Sequence, residues 1–170
     1  DGVTFEVTIG AGHKTGLYLD QRENRARVGA LSRNRDVLDA FSYTAGFACH
    51  ALRGGARRAV CIESSPDAIA AARQNLSLNG VAERVEIRRG RVVDVVRRLP
   101  RGRFALAFID PPYEDGPEAA LAVLAGVLAP GGRAVAEHDA RRPPGERYGA
   151  LALVDRRSYG GTGISIYVRE

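Results

Sequence analysis

The residues whose types and spacing best suit chemistry are Asp110, Pro111, Pro112 and Tyr113, which directly follow the apolar run Phe104 to Ile109. A run of that length fits a fully buried strand. Two consecutive prolines carry no N–H, so the ladder must stop there. A carboxylate, a stiff turn bearing carbonyls and an aromatic ring then stand at the strand's carboxyl end. In open α/β sheets that edge is where ligands bind. Carbonyl and carboxylate can accept the N–H groups of a flat amine while Tyr113 stacks on its ring. The same four residues also suit a plain strand-ending turn.

Two more features fall at the ends of earlier strands. Asp39, Ala40, Phe41, Ser42, Tyr43, Thr44, Ala45 and Gly46 read as a strand-to-helix turn with hydroxyls and helix-start amides, suited to a carboxylate or phosphate. Glu63 closes the strand Ala59 to Ile62, where an acid can accept both ribose hydroxyls of a nucleoside. The pyrophosphate fingerprint G-x-G-x-x-G is absent. Together these favour a cofactor with an adenosine and an amino-acid tail, S-adenosylmethionine, over NAD. Ser42 and Thr44 as helix caps and Glu63 as a solvated loop acid are the plainer alternatives.

The elements that must position these residues alternate. Val3 to Ile9 reads as a strand that turns at Gly10 to Gly12, with Thr15 to Leu19 as its hairpin partner. Asp20 offers the N-cap of a helix reaching Leu31. Strands then fall at Val37 to Phe41, Ala59 to Ile62, Val85 to Ile87, Phe104 to Ile109 and Ala134 to Glu137. Helices are expected over Gly46 to Leu52 (ended by Gly54 and Gly55), Pro66 to Asn79, Val92 to Leu99 and Pro117 to Leu128. Pro130 to Gly132 should turn, and Arg141 to Arg147 should be irregular. Leu151 to Val154 and Ile164 to Val168 close the chain as a hairpin around Tyr159 to Gly161. This order predicts a Rossmann-like, doubly wound, mostly parallel α/β sheet with a C-terminal antiparallel hairpin.

Composition narrows the classes. At 170 residues the chain reads as one ordinary globular domain, and no apolar run is long enough to span a bilayer. Cys49 and Cys61 sit in apolar contexts with no C-x-x-C spacing, so they read as core residues in a reduced, cytoplasmic setting. The chain opens on Asp1 and holds no Met, which leads us to expect that a preceding domain is missing. Net charge is +5, and every basic residue but Lys14 is Arg, the side chain that grips phosphate bidentately. A compositional bias toward Arg would give the same count. The groups Arg57-Arg58, Arg88-Arg89-Arg91, Arg97-Arg98 and Arg141-Arg142 support an RNA partner only if they cluster near the Tyr113 edge. One His near one or two acids, as at His138, makes no metal pattern, and His13, His50 and His138 read as packed or solvated.

With those residues placed, the chain resembles class I S-adenosylmethionine-dependent RNA methyltransferases. Gly12-His13-Lys14-Thr15-Gly16, Tyr18 to Arg22, Phe41 to Thr44 and Ala72 to Asn75 with Asn79 are similar to large-subunit ribosomal RNA cytosine-C5 methyltransferases. Asp110 to Tyr113 and the late Tyr159-Gly160 look like small-subunit ribosomal RNA guanine-N2 methyltransferases. The resemblance implies that Asp39, Phe41, Tyr43, Thr44 and Gly46 line the methionine end and that Glu63 holds the ribose. It implies that Lys14 and Thr15 close the pocket, with Gln21 near the methionine group, and that Asp110 to Tyr113 receive the target amine. Residues 1–35 would be a hairpin and helix contributing to that pocket, and 36–170 the catalytic domain. Arg91 and Val92 stand where such families carry an acid for adenine.

The C5 reaction needs a thiolate, which that family places after the fifth strand; Ala136, Glu137, His138 and Asp139 stand there instead. Amino-methylation, of guanine N2 in ribosomal RNA or a ribosomal particle, is therefore the leading expectation. Cytosine-C5 methylation and a non-catalytic RNA-binding scaffold are the alternatives, and DNA amino-methyltransferases share the Asp-Pro-Pro-Tyr motif.

Overall fold

The computed structural model describes residues 2–6, 22–112 and 114–170. The expected hairpin return at Thr15 to Leu19, and His13, Lys14, Thr15, Gln21 and Tyr113, lie outside the described residues. The chain forms two compact units, Asp1–Arg89 and Gly90–Glu170.

In the first unit, β1 (Asp36–Ala40), β2 (Arg58–Glu63) and β3 (Val85–Arg89) pair in parallel in the order β3-β2-β1. The helices are α1 (Arg22–Leu31), α2 (Gly46–Arg53) and α3 (Pro66–Leu78). The apolar centre of β2 and the buried positions of β1, including Asp39, are what a sheet covered on both faces requires. Val37, Leu38, Val60, Cys61 and Ile62 are fully buried. α3 opens as its sequence predicts: the Ser65 hydroxyl accepts the Ala68 amide at 3.3 Å, and Pro66 supplies a pre-set first turn.

Gly54 and Gly55 divide a task that sequence assigns to both. Only Gly55 takes a left-handed conformation, at φ 99°. Gly54 sits at φ −75°, and a Cβ on it would lie 2.1 Å from the Gly29 carbonyl oxygen. It is glycine because α1 and α2 touch backbone to backbone there.

The strand expected from Val3 is not formed over residues 3–6. Side chains of α3 take the place of a ladder. Asn79 Oδ1 accepts the Thr4 amide at 2.9 Å, and its Nδ2 donates to the Thr4 carbonyl at 2.7 Å. Asn75 Oδ1 accepts the Glu6 amide at 3.0 Å. Phe5 stacks on the His50 ring at 5.8 Å.

In the second unit, β4 (Phe104–Ile109) pairs in parallel with β5 (Leu128–Asp139). Antiparallel β8 (Thr162–Arg169), β7 (Leu151–Tyr159) and β6 (Arg147–Tyr148) follow in the order β4-β5-β8-β7-β6. α4 (Val92–Val96) and α5 (Glu118–Leu124) are both shorter than expected. α4 ends in a tightened turn ahead of Pro100, since a residue before proline avoids the helical region. α5 stops because Leu128 is already paired with Phe104. The expected turn at Pro130 to Gly132 survives as an excursion inside β5: Phe104 pairs with Leu128 but Leu106 with Arg133. β6 forms at the end of a segment expected to be irregular. Parallel strands with intervening helices and a closing antiparallel hairpin make the Rossmann-like, doubly wound sheet that the element order predicts.

Candidate active site

The carboxyl ends of β1 and β2 carry the first cluster, within the first unit. Phe41, Tyr43 and Ala45 adopt φ of 63°, 47° and 61°, three of the four non-glycine residues at positive φ among the described residues. Such backbone costs about 1–2 kcal/mol per residue and persists only where surroundings over-determine it. The determinants are visible. The Ser42 amide donates to the Ile62 carbonyl at 3.0 Å, and the Tyr43 amide to Glu63 Oε2 at 2.9 Å. The Thr44 carbonyl accepts from Asn75 Nδ2 at 3.1 Å. Phe41, Tyr43 and Gly46 keep part of their surface accessible, while Thr44 is buried.

Glu63 is held on both oxygens. Oε1 accepts the Ser64 and Ser65 amides at 2.7 and 2.9 Å, and among the described residues Oε2 accepts the Tyr43 amide. A carboxylate oxygen offers two lone-pair sites. Among the described residues, Oε2 therefore keeps a lone pair that a hydroxyl could use. Asp39 is buried, and its Oδ2 accepts the Ala48 amide at 3.0 Å, an anion on the first turn of α2.

The second cluster is at the end of β4, in the second unit. Pro111 is buried, Asp110 half-buried and Pro112 exposed. The Pro112 carbonyl accepts from the Asp115 and Gly116 amides at 3.0 and 3.4 Å, which curls the loop. That oxygen is thereby committed. Among the described residues none donates to the Pro111 carbonyl. Beside Pro111 lies a cavity of about 140 Å³, lined also by Glu118, His138, Asp139 and Arg142. His138 is buried: Nδ1 lies 2.9 Å from the Asp139 carbonyl and Nε2 2.9 Å from Ser165 Oγ. The carbonyl can only accept, so Nδ1 carries the proton. His138 is thus both packed, as expected, and part of the cavity wall. Bonds from Arg141 hold the Asp139 carboxyl down at about 2.

Arg91 stands exposed at the N-cap of α4 with no capping side-chain bond, and Val92 is buried. Neither supplies an acid. Both thiols are fully buried. Burial, then the Asp39 charge, pushes Cys49 up to about 12, and Cys61 is raised for the same reasons. They are packing residues. Among the described residues no group of His, Cys, Asp and Glu is placed to hold a metal, and no helix is long and apolar enough to cross a membrane.

Two residues escape the sequence reading as parts of the site. Asn75 bridges Thr44 and Glu6; the sequence marks it only as part of the Ala72 to Asn75 resemblance, with no role at the site. Arg25 is buried with its Cδ against Gly46 and its guanidinium 5.9 Å above the Phe5 ring.

Known proteins are similar to this chain in sequence and in fold. A ribosomal RNA large subunit methyltransferase of Deinococcus radiodurans is 40% identical over 116 residues, 65% of this chain. The chain spans only 28% of the length of that curated relative. A conserved hypothetical protein of Streptococcus pyogenes superposes with a TM-score of 0.74 at 27% identity, covering 81% of this chain and 88% of its own. The crystal structure of SMU.776 complexed with SAH has the same fold, with a TM-score of 0.82 at 18% identity over 98% of this chain and 54% of its own. The model of the family described as conserved hypothetical protein 95 matches residues 25–168, and the chain belongs to that family.

Proposed function

We propose that this chain carries the catalytic part of an S-adenosylmethionine-dependent methyltransferase acting on an exocyclic base nitrogen of RNA, guanine N2 of ribosomal RNA. The observation that carries the reading is the Phe41 to Ala45 turn, held in a costly conformation by the carboxylate that ends the next strand. Nothing in ordinary loop closure calls for three left-handed non-glycine residues. A turn built to present backbone and a carboxylate at adjoining strand ends does. The naming of the Deinococcus relative supports an RNA substrate, and SAH in SMU.776 supports the cofactor.

The residues fit that cofactor. Glu63 Oε2 has one lone pair for a ribose hydroxyl, and Phe41, Tyr43 and Gly46 offer accessible surface to the methionine end. When bound, S-adenosylmethionine supplies an electrophilic methyl group. The chain's own part is to position the amine. Asp110 and the Pro111 carbonyl accept its two N–H bonds, which draws the nitrogen lone pair out of conjugation with the ring. Asp110 is also the acceptor for the proton that leaves the methylated nitrogen. Backbone assigns adenine recognition more naturally than Arg91, which carries no acceptor. A paired base must first be flipped or presented unpaired. Lys14, Thr15, Gln21 and Tyr113 complete the proposal as pocket-closing, methionine-facing and stacking residues.

Calorimetric titration with S-adenosylmethionine, with NAD beside it, tests the pocket. Methyl transfer to ribosomal RNA followed by nucleoside analysis then tests the chemistry. N2-methylguanosine, lost in Asp110→Ala while the cofactor still binds, is expected. No binding at millimolar cofactor overturns the enzyme reading and leaves the scaffold. The resemblance of Gly12 to Arg22 and Phe41 to Thr44 to large-subunit cytosine-C5 enzymes, together with the relative's large-subunit name, favours a second product, 5-methylcytidine. Against it stand two sealed thiols, since that reaction needs an exposed thiolate nucleophile.

A further inference from the structure

Tyr159 is 57% exposed at the tip of the β7–β8 hairpin. It forms the last cross-strand pair with Thr162, and Gly160 and Gly161 make the turn between them. A Cβ on either glycine would meet nothing within 4 Å, so the tip is bare. Arg157, also exposed, shares a face with Tyr159 because side chains two apart on a strand point the same way. Its guanidinium is steadied by Asp155 Oδ2 at 2.8 Å.

The tip is tied to the wall of the cavity beside Pro111. Thr162 pairs with Asp139 across β8 and β5, and the Ala140 amide donates to the Gly161 carbonyl at 2.9 Å. The turn that follows carries Arg141, bonded to Asp139, and exposed Arg142, which lines the cavity. Asp139, Thr162 and Tyr159 stand in register on three neighbouring strands. Strands lie about 4.8 Å apart, so Tyr159 is roughly 10 Å from the cavity wall, within one or two nucleotides. An exposed ring with guanidinium groups nearby on the same strand and at the cavity rim suits single-stranded nucleic acid: bases stack and phosphates pair.

We propose that the β7–β8 tip, through Tyr159 and Arg157 with Arg142 at the cavity rim, docks the single-stranded RNA that flanks the target nucleotide. This rests on the RNA methyltransferase reading above. Tyr159 stacks on a neighbouring base, and Arg142 and Arg157 take the phosphates on either side of it.

The test measures binding of a labelled single-stranded RNA of about 12 nucleotides by fluorescence anisotropy. Cofactor affinity is measured on the same samples. Tyr159→Ala is expected to weaken RNA binding about tenfold, in line with the loss of one stacked base, with Tyr159→Trp restoring it. Arg157→Gln should reduce the salt dependence of binding by about one phosphate contact. Both variants should bind S-adenosylmethionine like the parent, and should raise KM for RNA with kcat little changed. Unchanged RNA affinity in both variants, or no RNA binding by the parent, overturns the proposal. Failure of the parent to bind the cofactor sinks the methyltransferase reading instead, and leaves the hairpin result to be read from anisotropy alone.

Discussion

At the end of β1 the chain turns through three left-handed non-glycine residues, while at the end of β4 it turns through two prolines. The first turn is held from outside itself: by the Glu63 carboxylate, the Ile62 carbonyl and the Asn75 amide, all distant in sequence. The second is stiff by covalent structure, because each pyrrolidine ring fixes φ whatever surrounds it. One edge acquires its shape on folding and the other brings much of it along. The difference suits the roles proposed for them. A ligand with several separate groups needs many contact points set by a network, whereas a single amine needs two acceptors that do not move.

Breaking the external supports should show how far the first turn depends on them. Glu63→Ala removes the acceptor of three backbone amides and should have the largest effect, about 2 kcal/mol of stability in urea unfolding. Its cofactor affinity should fall about thirtyfold by calorimetry. Asn75→Ala strands the Thr44 carbonyl and the Glu6 amide and should cost about 1–2 kcal/mol, with a several-fold loss of cofactor affinity. Since Asn75 lies behind the turn, Asn75→Gln should not rescue it: one methylene misplaces the bridge. At the other edge, Pro111→Ala with Pro112→Ala should cost only about 1 kcal/mol, chiefly through a freer unfolded chain. There kcat should drop while cofactor affinity holds. The smallest effect runs the other way. Ala45→Gly relieves a left-handed residue and should raise stability by up to about 1 kcal/mol, and a loss would mean that the Ala45 methyl packing outweighs its backbone strain.

The two edges were also unequally legible in the sequence. Phe104 to Pro112 announces itself, since a buried strand and its stop are written in residue type. The strand cores of β1 and β2 and the Ser65-Pro66 helix start were readable for the same reason. The shape of the Phe41 to Ala45 turn was not, because glycine normally signals positive φ and none stands at 41, 43 or 45. Likewise, Val3 to Glu6 has strand-like alternation, yet its backbone partners are asparagine side chains of α3. A period-two pattern records burial, not what satisfies the amides. The length of α5 misled because Leu124, Val127 and Leu128 continue its apolar spacing while Leu128 already belongs to β5. His138 shows the limit of choosing between a packed and a functional residue, for it is hydrogen-bonded on both nitrogens and still forms cavity wall.

Cys49 and Cys61, both sealed in the first unit, give the native chain a silent chemical background. A maleimide dye added to folded protein should find no thiolate there to couple with. Ser158→Cys, on the exposed β7–β8 tip, would then accept a single fluorophore without any other cysteine being removed. Quenching of that dye would follow RNA arriving at Tyr159 in real time, on protein that is otherwise unaltered.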